Sequence, residues 1–107
     1  MLRSTTIALA VASDAATTAV EMDTSPTLPG TTALILLIMK TAASLTPVVE
    51  HSDDNSNWSN VFAPGALTSS EPYVSIMSAE VTIKKYMRVN CGAYTDGTLD
   101  AYVLNAG

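Results

Sequence analysis

His51 is followed at short range by Asp53 and Asp54, and an imidazole beside carboxylates is the pairing used for acid–base chemistry and for metal binding. Each use demands more than the pair. A hydrolytic triad needs a nucleophile held by the histidine, and the chain has no Gly-x-Ser-x-Gly elbow. A zinc site needs three or four good ligands, whereas the chain has one histidine and one cysteine, Cys91. The run Asp53-Asp54-Asn55-Ser56-Asn57 could surround calcium with oxygens. It lacks the alternating Asp-x-Asp-x-Asp-Gly spacing and the distal glutamate of a dedicated loop. These residues therefore read as a strand-end histidine leading into a turn whose side chains bond their own backbone. No catalytic, cofactor-binding or metal-ligating residue is expected.

Other chemistries fare no better. Trp58, Phe62 and the four tyrosines could stack on sugars, but Tyr73, Tyr86 and Tyr102 fall at strand positions where a core or sheet-face role is the default. Gly92 and Gly97 match no phosphate-binding spacing. The basic residues are Arg3, Lys40, Lys84, Lys85 and Arg88, in a chain of net charge −5. Only residues 84–88 approach the clustered basic face that nucleic acid requires, so no nucleic-acid partner is expected. Cys91 has no intrachain disulfide partner, which suits a reducing cytoplasm, and its spacing from Val89 and Ala93 reads as a small buried hydrophobe.

The elements that carry these residues are strands by period. In residues 6–12 Ile7, Leu9 and Val11 alternate with alanines, as period two requires. Residues 16–22 form a second candidate, with Thr18, Val20 and Met22 on one face. Residues 23–30 hold two prolines and a glycine and mark a loop. Residues 31–40 are apolar on both faces, as in a strand at the centre of a sandwich. Residues 45–51 place Leu45, Val49 and His51 on one face, and Pro47 puts this strand at an edge or beside a bulge. After the Asx-rich turn, Trp58 is expected to fold back on the core. Val61 and Phe62 continue until Pro64-Gly65 breaks the chain, and residues 73–77 form a short strand.

Residues 85–94 and 98–105 flank Thr95-Asp96-Gly97, which reads as a hairpin turn. Their alternation sets Met87, Val89 and Cys91 against Tyr86, Arg88 and Asn90, and Leu99, Ala101 and Val103 against Asp100, Tyr102 and Leu104. Seven or so short strands separated by turns predict an all-β fold, a small β-sandwich of jelly-roll or Greek-key type. The 107 residues are expected to form a single domain, 1–107.

Composition adds a second constraint. Apolar residues make up 48% of the chain and charged residues only 14%, against ~25% charged in ordinary soluble domains. So few charges protect a free monomer poorly against association, and they suit a protein that lives inside an assembly. Arg3 followed by the six-residue apolar run 7–12 is too short for a signal peptide core. The run 33–39 is far below the ~20 residues of a membrane helix, so no membrane span is expected.

The string Val49-Glu50-His51-Ser52-Asp53-Asp54-Asn55-Ser56-Asn57-Trp58 resembles a strand-and-turn pattern of small phage virion proteins. Two further elements match: the strand Lys84-Lys85-Tyr86-Met87-Arg88-Val89-Asn90, and the glycine turn Asp96-Gly97-Thr98 leading to Val103-Leu104. Together they cover roughly residues 31–107 and are similar to the jelly-roll capsid cement (decoration) proteins of tailed bacteriophages; residues 1–30 match no part of the pattern. The resemblance implies a protein that is not an enzyme and binds no cofactor. It implies a partner in the major capsid protein, attachment to the capsid exterior after synthesis in the host cytoplasm, and pairing with itself as a symmetric dimer or trimer. Two alternatives remain: a carbohydrate- or receptor-binding sandwich, and a head–tail connector or tail component. Nothing in the sequence assigns the interface residues.

Overall fold

The period-two alternation is realised in a computed structural model that describes residues 2–11, 16–22, 31–40, 43–70 and 74–106. The described residues form ten strands: β1 (Leu2–Val11), β2 (Val20–Glu21), β3 (Thr31–Met39), β4 (Ala43–Ser52), β5 (Ser59–Phe62), β6 (Leu67–Ser69), β7 (Val74–Met77), β8 (Val81–Ile83), β9 (Tyr86–Asp96) and β10 (Leu99–Ala106). They form two five-stranded antiparallel sheets. The first runs β1-β10-β3-β7, with β8 also on β3; the second runs β2-β9-β4-β5, with β6 also on β4. The fold is an all-β sandwich, as the alternation predicts.

Its strand order is that of a jelly roll. If β5 with β6 and β7 with β8 each count as one position, first pairs with last, second with next-to-last, and so on inward. That is one long hairpin rolled into two sheets. The innermost turn, residues 53–58, joins β4 to β5, the only consecutive strands among those described that pair directly.

The core follows the alternation. From β3 it takes Ala33, Ile35, Leu37 and Met39, and from β4 Leu45 and Val49. Met87, Val89 and Cys91 come from β9, and Leu99, Ala101 and Val103 from β10. The faces expected for Leu45, Val49 and His51, for residues 86–91 and for residues 99–104 are the faces observed, whereas at Ala93, exposed and at φ 48°, the alternation breaks and Tyr94 packs against the core. Burying each large aliphatic side chain contributes roughly 1.5–3 kcal/mol, so this ladder of inward residues holds the sheets together without a disulfide.

Four expectations need correction. Thr95-Asp96-Gly97 is not a hairpin turn, because β9 and β10 lie in different sheets and the turn arches from one to the other. A glycine turn between alternating strands fixes a reversal but not whether its arms pair. In β1 the alternation is broken by two irregularities, between Thr6 and Ala8 and between Ala8 and Val11. Ile7 and Ala8 therefore both enter the core; the side chains of Leu9, Ala10 and Ala12 lie outside the described set. Pro47 sits in an interior strand, so the edge alternative fails, while strand irregularities do flank it, between Ser44 and Thr46 on the β9 side and between Val49 and Glu50 on the β5 side. It faces Cys91 on β9, and on the other side it falls in the interval between Leu45, opposite Leu67, and Val49, opposite Phe62, so no described ladder there requires its amide. Finally, of residues 16–22 only Val20–Glu21 forms a strand, with Ala16 making one isolated bridge to Asn90. The loop expected over residues 23–30, and Tyr73, lie outside the described residues.

Candidate interaction surfaces

His51, Asp53 and Asp54 meet at the end of β4, where the hairpin turns. Ser52 is fully buried and organises the turn: its Oγ accepts the N–H groups of Asp54 (3.2 Å) and Asn55 (3.0 Å) and donates to Asp54 Oδ1 (2.9 Å). Asp54 Oδ1 in turn accepts the N–H groups of Ser56 (2.9 Å) and Asn57 (2.8 Å), and Oδ2 accepts Asn57 Nδ2 (2.6 Å). Asn55, at φ 61°, takes the left-handed conformation that asparagine tolerates. The donors from Asn57, then Ser56 and Ser52, hold the Asp54 carboxyl well below the usual carboxylate range. The carboxylate that looked available for chemistry is thus occupied by its own loop, while Asp53 is exposed and lies 3.8 Å from Lys84.

His51 points to the core side of β4. Burial, reinforced by Lys84 and opposed by Asp53, lowers its pKa below the ordinary 6.5, and its Nδ1 is buried without a hydrogen-bond partner. It is a neutral, half-buried packing residue. Among the described residues, no group of three or more His, Cys, Asp or Glu side chains is placed to hold a metal ion. Cys91 is buried in the core.

The outward face of the second sheet carries paired charge. Arg88 Nε donates to Glu50 Oε1 at 2.8 Å across the β4–β9 ladder. The Arg88 guanidinium also lies over the Trp58 ring, 4.1 Å from its centroid. Trp58 therefore folds onto this outer face and not onto the core, because the cation and the ring satisfy each other there. Lys85 pairs with Glu21 at 3.6 Å. The basic segment 84–88 is thus matched residue by residue with carboxylates. The described aromatic side chains do not converge either: Trp58 and Tyr86 lie with the second sheet, Tyr102 on the outside of the first, and Phe62 and Tyr94 against the core.

The outward face of the first sheet is different in kind. The β3 residues that alternate with its core set are Leu34, Leu36 and Ile38, all partly exposed. In register beside them stand Leu104, Tyr102 and Asp100 on β10, and Met77, 50% exposed, is opposite Leu36 on β7. Asp100 is buried and accepts from Tyr102 Oη at 3.1 Å, with Lys40 Nζ 3.6 Å away. The result is a mainly apolar patch with one internally paired charge at its end. The sequence carries the signal for this surface, since residues 31–40 are apolar on both sides, but places the strand at the centre of a sandwich without telling which side faces outward. A two-layer sandwich buries only one side of each sheet, so the second apolar side faces outward.

No protein-family model matches this chain, and no curated protein matches it in sequence.

Proposed function

We propose that this chain is a non-enzymatic structural protein of a virion: a cement protein that binds the major capsid protein lattice on the outside of a tailed-phage head and pairs with copies of itself. The observation that supports this reading best is the outward apolar face of the first sheet. Its apolar residues Leu34, Leu36, Ile38, Leu104 and Met77 lie on three strands, which at ~4.8 Å spacing and about five residues at ~3.3 Å cover roughly 240 Å². That approaches the few hundred Å² at which an apolar patch marks an interaction site. It supplies about a third of the ~800 Å² per partner of a standard specific interface. One copy alone attaches weakly, and many copies in a lattice gain from avidity. A shell pressed outward by packaged DNA is held by contacts between its subunits, and a rigid domain laid across those contacts adds buried area to each.

The test is binding to heads that lack this chain. Leu36→Lys puts a charge at the centre of the face without touching the core, so it is expected to stay folded, melting only slightly below the wild type, and to bind heads at least ~10-fold more weakly. Undiminished binding by that variant would overturn the assignment of the face, and no binding by the wild type would overturn the cement reading itself.

A further inference from the structure

The four sheet edges are not alike. One edge of the first sheet is split between β7 and β8, of four and three residues. Ser78, between them, is nevertheless bound to β3: Ser78 N–H donates to Ile35 O (2.8 Å), and Ile35 N–H donates to Ser78 Oγ (2.9 Å). In the second sheet one edge is split between β5 and β6, of four and three residues, and the other is the two-residue β2 with its neighbouring bridge. Short, interrupted strands are the usual protection of a sheet edge. The fourth edge, β1, is ten residues long, contains no proline and carries a single charge, Arg3. It pairs with β10 and with no other described strand. Its two irregularities fall after Thr6, so Leu2–Thr6 is a regular ladder whose far side is paired with no described strand.

From this asymmetry we infer that β1 is a pairing edge, and that its occupant is β1 of a second copy, running antiparallel across a two-fold axis. The inference rests on the proposed self-association and specifies the surface that carries it. An isologous contact needs a strand that can meet its own reverse, and β1 does so without opposing charges. With Ser4 at the axis, Arg3 lies opposite Thr5 and Leu2 opposite Thr6. The chain's net charge of −5 makes copies repel, and β1 is free of carboxylates. A two-fold perpendicular to the sheet keeps both outward apolar faces on one side, so the pair presents twice the apolar area of one copy, roughly 480 Å² toward the ~800 Å² that one partner of a standard interface contributes.

The experiment compares the wild type with Ser4→Pro, Thr5→Pro and Leu36→Lys by sedimentation over micromolar to submillimolar concentration, alongside melting and head binding. Adjacent amides of a strand point to opposite sides, so one proline removes a bond to β10 and the other removes an outward amide. We expect a dimeric wild type, a dimeric Leu36→Lys, and a proline variant that melts like the wild type but stays monomeric. A monomeric wild type, a stable dimer in both proline variants, or dissociation by Leu36→Lys instead would overturn the inference. If both prolines prevent folding, amide exchange of the wild type decides. β1 amides protected in step with dimer formation support the pairing, and concentration-independent exchange refutes it. Head binding by a monomeric variant would leave the cement reading standing while showing that attachment does not need the pair.

Discussion

At the level of single residues, the histidine and carboxylates that invited a catalytic reading act on folding. Burial disfavours the His51 imidazolium in the folded chain, so the unfolded chain binds that proton more tightly. Stability is therefore expected to fall as pH drops from above 6.5 toward the lower folded value. Asp54 has the opposite group chemistry but the same sign. Its carboxylate is favoured by the loop donors, and that stabilisation is lost as pH falls below the ordinary 3.8. Urea melts of wild type and His51→Gln between pH 7.5 and 5 should show a slope in the first and a flatter line in the second; equal slopes would contradict the burial argument. A second contrast tests the faces of β3. Leu37 is 1% exposed, so Leu37→Ala is expected to cost ~2–5 kcal/mol. Leu36→Ala, on the outward side, should cost well under half of that. The sequence made the neighbouring faces of β4, β9 and β10 readable because large and small or polar residues alternate there. It could not tell Leu36 from Leu37, since both sides of β3 are apolar and only the two-layer architecture decides which one is buried.

Between elements, the sheets depend on a few polar groups standing in for missing strand. Ser78 closes the interval between β7 and β8 by bonding both the N–H and the C=O of Ile35. Ser78→Ala leaves the buried Ile35 amide without its acceptor, and thermal melting should show a loss of ~1–3 kcal/mol. Ala93 in β9, at φ 48°, belongs to the irregular stretch opposite Ser44 and Thr46. Beyond it Tyr94 packs against the core and donates its hydroxyl to Gly97 O at 3.0 Å. Gly97 itself is at φ 92°, a conformation that costs other residues dearly, so Gly97→Val should destabilise by at least ~1 kcal/mol. That arch is where reading by local signals stopped. Composition and glycine placement identified the reversal, but pairing in a rolled hairpin is set by contacts between distant segments. The short strands β6 and β8 escaped notice for a related reason, because three residues carry too little alternation to register against the flanking breaks.

For the molecule as a whole, the two outer faces divide the work. One carries matched ion pairs and a tryptophan held under an arginine, and it is self-sufficient. The other is mainly apolar and belongs to the sheet whose edge is β1, the longest edge strand among those described. A fold alone does not establish a role, and the jelly-roll order supports many. What favours assembly is the combination of a 14% charged composition with a face of the character that association uses. The proposed cement role is tested most directly by quantitative mass spectrometry of purified phage particles, scored as copies of this chain per copy of major capsid protein. A cement protein is predicted to stand in a fixed, near-stoichiometric ratio to the capsid lattice and to leave the head when that lattice is dissociated. A trace ratio, confined to a single vertex or to tails, would contradict the account and assign the chain to a connector or tail component instead.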